Sequence, residues 1–149
     1  MCASSASAST TDRPDRKQQN QGQNWISQRV RLAIYMRDGF ACAYCARGIE
    51  AGLTLTLDHI VPYSKGGAIK DPKNLITACL NCNSSRGNRS LKDFVAVSAP
   101  YHQRDPAEVL NFIRLHRQRV LKLKVAGQMI AQSGSCRKVL DIVQGGGLI

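Results

Sequence analysis

Long apolar runs are missing from this sequence of 149 residues. No stretch approaches the roughly 20 apolar residues that a membrane-spanning helix needs, which excludes a membrane as partner. The opening segment also lacks the apolar stretch of a secretory leader. Met1–Gln28 is rich in Ser, Gln and Asn, and a cytoplasmic protein is expected. Acidic residues are few: ten Asp and Glu stand against 21 Lys and Arg, for a formal net charge of +11. That excess goes beyond what solubility asks for and fits a polyanionic partner, nucleic acid first among them. Internal repeats are absent apart from two short cysteine pairs. One domain with tails is the expectation at this length, and nothing in the sequence asks for a small-molecule cofactor.

The six cysteines are not spread evenly. Cys42 and Cys45 form one CxxC, Cys79 and Cys82 form another, and Cys2 and Cys136 stand apart. Disulfide loops and a redox CxxC are the competing readings. Without a leader, paired CxxC motifs favour metal ligation. Each pair brings two thiolates together on a tight turn, and two pairs complete a tetrahedral zinc site with no open position for catalysis. The 33 residues between Cys45 and Cys79 are more than a zinc ribbon needs. The metal therefore staples the ends of a substantial insert, which as a small unit is marginal without it.

The rest of the chain divides by composition. Residues 1–23 are polar and of low complexity, and a disordered tail is expected there. Apolar spacing from Ile26 to Asp38 predicts a helix stopped by Gly39. Leu53–Leu57 alternates as a half-buried strand does and runs on through Asp58 and His59 to a stop at Pro62. Ser64–Gly67 reads as a turn, Asn74–Cys79 as a short apolar segment, and Asn83–Arg89 as the opening of a basic helix. Further on, Asp105 and Pro106 are set to start a helix over 107–124. Its apolar stripe is Val109, Leu110, Ile113, Val120, Leu121 and Leu123, and it has a basic opposite side. A shorter helix is expected around Cys136–Val143. His102 and His116 read as surface residues, and Arg37–Asp38 as a structural close to the first helix. Nine basic and four acidic residues fall in 29–89, and the same numbers fall in 90–149, so charge alone does not say which part meets the polyanion.

The insert between the cysteine pairs carries Asp58, His59, Asn74 and Asn83, an odd set for a core. Phosphodiester hydrolysis needs a cation at the phosphate and leaving oxygen, a base for water, and something to hold that base. Asp58 and Asn83 offer hard oxygen ligands suited to Mg2+ or Mn2+. His59 has the pKa range of a general base, and Asn74 can fix the imidazole or the loop beside it. One geometric difficulty stands: on an ideal strand Asp58 and His59 point to opposite faces, and they share a site only if the strand ends or twists there.

The motifs CAYC at 42–45, LDHIVPYSKGG at 57–67, NL at 74–75 and CLNCNSSRGNR at 79–89 resemble the HNH endonuclease family. The resemblance covers about residues 25–95. It implies an α+β fold: a zinc-stapled ββα-metal (His-Me finger) unit with a preceding helix and a C-terminal helical extension. The nuclease domain is then 24–95 and the basic extension 96–149. It implies His59 as the base that activates water, Asp58 and Asn83 as ligands of the catalytic metal, and Asn74 as the residue that orients the histidine-bearing loop. Many members have His where Asn83 stands, which makes this an H-N-N variant. Cys42, Cys45, Cys79 and Cys82 match the family's structural zinc ligands. Arg86, Arg89 and Lys65 are placed to contact DNA phosphates. The C-terminal basic helix either lies along DNA or packs its stripe on the nuclease unit.

The expected function is metal-dependent cleavage of double-stranded DNA, leaving 5′-phosphate and 3′-hydroxyl ends. A compact chain of this kind fits a phage or mobile-element origin, acting in the host cytoplasm. One site cuts one strand, so a double-strand break asks for a homodimer or two encounters. The rival reading is a zinc-stabilised nucleic-acid-binding module without catalysis. A third is an RNA nuclease or toxin with the same chemistry.

Overall fold

A computed structural model describes residues 25–147. The expected disordered tail at 1–23 and Cys2 lie outside the described residues. The first helix, α1, spans Gln28–Arg37. Ser27 caps it, its hydroxyl accepting from the Val30 N–H at 3.2 Å, and Asp38, Gly39 (φ +77°) and Phe40 (φ +55°) turn the chain out of it. After a knuckle closed by an Ala41–Gly48 bridge come β1 (Leu55–His59) and β2 (Leu75–Cys79), which pair antiparallel with Leu55 opposite Cys79 and His59 opposite Leu75. α2 (Leu80–Arg86) follows β2 without a break and completes a ββα unit. α3 (Leu91–Tyr101), α4 (Pro106–His116), α5 (Leu123–Ser133) and α6 (Cys136–Gln144) make up the remainder. None of the described helices is long and apolar enough to cross a membrane.

Strand alternation divides the hairpin into two faces. Thr56 and Asp58 share one face with their partners Ala78 and Ile76, while Leu55, Leu57 and His59 share the other with Cys79, Thr77 and Leu75. Each face has its own core. Ile76 and Ala78 pack with the cysteine knuckles, Tyr44, Phe94, Val95, Ala99, Val109 and Ile113. Leu55, Leu57 and Leu75 pack with Leu32, Ile34, Tyr35, Ala126 and Val139. The hairpin is thus sandwiched, with α3 and α4 contributing to one core and α1, α5 and α6 to the other.

Three elements differ from the sequence expectation. α2 begins at Leu80, so Cys82 and Asn83 lie within it. α3 was not foreseen, although Ser90 capping the Asp93 N–H at 3.1 Å and apolar residues at 91, 94, 95 and 99 give it a helical signature. The single helix expected over 107–124 is two: α4 ends at His116, and α5 begins at Leu123 with Val120 88 % exposed between them. The break has a tertiary cause. Val109 and Ile113 belong to one core, whereas α5 delivers Ala126 to the other, and a straight helix cannot serve both. The division expected after residue 95 falls inside α3, whose Ala99 joins the same core as Phe94. Of the expected apolar stripe, Val109, Leu110 and Ile113 pack on one core and Leu121 on the other, while Val120 and Leu123 are exposed.

Ile113 is 1 % exposed, and truncating it opens a cavity that the rigid knuckles beside it cannot fill. Ile113→Ala is expected to lower stability by about 2–5 kcal/mol, read as a fall in the urea midpoint with little change in slope.

Candidate active site

The four-cysteine cluster is built by two turns of the same kind. Cys42 and Cys45 sit on the loop after α1, where the Cys45 N–H points at Cys42 Sγ at 3.5 Å. Cys79 ends β2 and caps α2, and the Cys82 N–H points at Cys79 Sγ at 3.4 Å. The four sulfurs lie within 4.8 Å of one another and all four residues are buried, with Cys45 and Cys79 Sγ at 4.0 Å. Tetrahedral zinc thiolate with bonds of about 2.3 Å asks for sulfurs just under 4 Å apart, so the donor set and its spacing fit a structural metal ion. A hydrogen bond from Cys82 lowers the Cys42 thiol to about 5 and drives Cys82 up. Four buried sulfurs this close cannot all ionise unless a thiophilic cation neutralises their charge. His102, expected at the surface, is half-buried with Nε2 3.9 Å from Cys82 Sγ.

Beyond β1 the chain is held by Asn74. Its Oδ1 accepts from the Val61 N–H at 2.9 Å, and its Nδ2 donates to Val61 O at 3.1 Å and Ala68 O at 2.8 Å. Gly67 completes this loop because a Cβ there would collide with the Val61 carbonyl oxygen and crowd Asn74. His59 stands at the end of β1. Its Nε2 is 2.9 Å from Ile69 O, and because a carbonyl only accepts, Nε2 is the donor, which in the neutral tautomer leaves the lone pair on Nδ1. Trp25 packs on the imidazole with centroids 5.1 Å apart, and the Arg31 guanidinium lies 5.6 Å from the Trp25 centroid.

Asp58 and Thr56, the residue that Asn83 grips, share the hairpin face that α2 covers. Asn83 Nδ2 donates to Thr56 Oγ1 at 2.9 Å and to Leu57 O at 3.3 Å. Thr56 Oγ1 itself donates to Ala78 O at 2.8 Å, so it has only lone pairs to offer the amide. That fixes the amide orientation and leaves Oδ1 as the end not engaged by the strand. The Asp58 Oδ2 accepts from Tyr44 Oη at 2.5 Å and from Arg86 Nη1 at 2.9 Å. Burial pushes the Asp58 carboxyl above its ordinary value, opposed by Arg86 and Tyr44. Both oxygen donors are of the hard kind that suits Mg2+ or Mn2+, and each residue keeps one oxygen free of hydrogen bonds among the described residues, so the pair fits a divalent ion.

Measured against the sequence reading, Asp58 and His59 do leave β1 on opposite faces, and the strand ends at His59. Lys65 and Arg89 are exposed. Arg86 is not: it was expected on a DNA-contacting face, and it is 1 % exposed, with every guanidinium nitrogen bonded inside the protein. The reason is that α2 turns this side chain inward against Asp58, a partner 28 residues away that sequence spacing does not reveal. Tyr44, concealed between two cysteines, carried no sequence signal. Arg37 and Asp38 brace α1 against β2 through Leu75 O and the Thr77 N–H, at 2.7 and 2.9 Å.

Residues 42–89 match the HNH endonuclease family. The chain is also similar to the CRISPR-associated endonuclease Cas9 of Actinomyces naeslundii, 41 % identical over 59 residues, 40 % of this chain. It resembles the CRISPR-associated endonuclease Cas9 of Corynebacterium diphtheriae at 36 % over 58 residues, 39 % of this chain. The match spans only 5 % of the length of each relative. No solved structure matches the chain.

Two substitutions test the supports of this site. Asn74→Ala leaves the Val61 N–H and two carbonyls without their partner and is expected to cost about 1–3 kcal/mol, measured by denaturant unfolding. Cys79→Ala is expected to abolish metal retention, measured by elemental analysis, and to erase the cooperative melt. The apparent binding energy of a structural zinc is about 10–16 kcal/mol, more than a small domain can lose.

Proposed function

We propose that this chain is a metal-dependent endonuclease acting on double-stranded DNA. What supports the reading is that the segment matching the HNH family carries a buried carboxylate, an amide anchored on β1 and an imidazole at the end of that strand. The strand ends at His59, so a phosphate laid across its end meets both faces. Asp58 and Asn83 are the residues that would hold a divalent ion, Mg2+ or Mn2+, and His59 leaves the strand on the opposite face. Bound there, the ion supplies charge to the phosphate and the leaving oxygen.

His59 performs the proton transfer. With Nε2–H held by Ile69 O, Nδ1 accepts the proton of the attacking water, a role that contributes about 10²–10⁴ in rate. Attack on phosphorus breaks its bond to the 3′-oxygen, which takes a proton from solvent, and leaves 5′-phosphate and 3′-hydroxyl ends. Asn74 holds the loop that carries the Ile69 carbonyl, so it acts through His59. Zinc in the four-cysteine cluster is structural. The exposed Arg89 and Lys65 meet phosphates without reading sequence, whereas Arg86, fully engaged inside, does not. Residues 24–95 hold the chemistry, and the end of α3 with α4, α5 and α6 serves as its support. A single site cuts one strand, so a double-strand break takes a second copy of the chain. A small nuclease of this build, working in the cytoplasm, fits a phage or mobile element.

The test is nicking of supercoiled plasmid in Mg2+ or Mn2+. Wild type is expected to nick and to stop on chelation by EDTA while zinc is retained, with His59→Ala slower by at least about a hundredfold. If His59→Ala cuts as fast as wild type, the assigned base is wrong. If wild type binds DNA but never cuts it, the chain is a binding module.

A further inference from the structure

Arg86 heads the fully buried side chains by volume. A buried guanidinium is costly unless its donors and its charge are matched, and here both are. Nη1 donates to Asp58 Oδ2 at 2.9 Å, to His59 O at 2.8 Å and to Tyr44 Oη at 3.3 Å. Nη2 donates to Ile60 O at 2.7 Å, and Nε to Arg89 O at 3.0 Å. One planar fork therefore grips the carboxylate of Asp58 together with the backbone of the next two residues.

The Tyr44 hydroxyl adds a second bond to the same Asp58 Oδ2 at 2.5 Å, while the ring is held edge-on by Phe94, with centroids 5.0 Å apart. Among the described residues Oδ1 accepts no hydrogen bond, and the Asp58 side chain is 10 % exposed. The origin of the two donors matters. Tyr44 lies between Cys42 and Cys45, and Arg86 lies one helical turn past Cys82. Each cysteine knuckle thus sends one side chain to the same carboxylate oxygen.

We propose that Tyr44 and Arg86 are positioning residues that hold Asp58 with a single oxygen, Oδ1, directed to the divalent ion, and that through them the four-cysteine cluster sets the geometry of the reactive carboxylate. This rests on the reading of Asp58 as a ligand of that ion. The Arg86 bonds to His59 O and Ile60 O extend the same control to the backbone of the base. The cluster's work then goes beyond holding the fold closed.

The experiment uses the full chain with its four-cysteine metal in place. Free Mn2+ is counted by electron paramagnetic resonance, and cleavage is followed on plasmid. Tyr44→Phe removes one hydroxyl and keeps the ring. It is expected to weaken Mn2+ binding about tenfold, the lower end for a ligand's hydrogen-bond partner, and to lower kcat while the KM for DNA and the zinc content stay unchanged. Arg86→Lys keeps the charge but not the fork and is expected to lose more. A Tyr44→Phe protein with wild-type Mn2+ affinity and kcat, altered only in melting temperature, overturns the proposal. Asp58→Asn run alongside separates the two levels. If it binds Mn2+ like wild type, the ligand reading fails and this inference fails with it. If it loses Mn2+ while Tyr44→Phe does not, only the positioning role fails.

Discussion

The convergence of four sulfur atoms within 4.8 Å of one another is the constraint on which the rest of this structure depends. It closes the ends of an insert that on its own has one two-stranded hairpin to fold around. A hairpin of that size is marginal in water. The knuckles do more than close a loop. One carries Tyr44 into the core beside Phe94, and the other is the first turn of α2, so the position of Asn83 and Arg86 follows from the position of Cys79 and Cys82. Distances at the end of β1 are in this way referred back to the four-cysteine cluster.

The hairpin between the two cores is a partition with chemistry on each side. Because side chains alternate, Asp58 and His59 cannot share a face, and the protein treats them differently. Asp58 is sunk among Tyr44 and Arg86. His59 stands at the open end against Trp25 with its tautomer set by a backbone carbonyl. Two adjacent residues thus acquire two environments, one organised around an ion pair and one around a backbone carbonyl and an indole ring. The extension past residue 95 makes this possible by covering both faces, with Val109 and Ile113 on one and Ala126 and Val139 on the other. A half-covered hairpin would leave Ile76 or Leu57 in water and lose roughly 1.5–3 kcal/mol for each such side chain.

Much of the local structure around the candidate site was legible along the chain, because its signals are local. CxxC spacing states its own geometry, since two thiols separated by two residues meet on a turn. Pro62 and Gly67 mark the end of the strand and a close backbone approach. Asn74, read as the holder of a loop, is found holding one through three hydrogen bonds. Ser90 and the apolar positions after it also state a helix.

The sequence by itself determined the four-cysteine cluster, the hairpin and the side chains at its end, because each follows from short-range spacing and the pleat of a strand. Only the tertiary structure decided what surrounds them. The charge of Arg86 is plain in the sequence, but whether it faces phosphate or Asp58 depends on how α2 rotates against β1, which contacts across 28 residues settle. The break between α4 and α5 has the same origin: no Pro or Gly marks it, and it exists because one stretch of chain must fill two cores on opposite sides of one sheet.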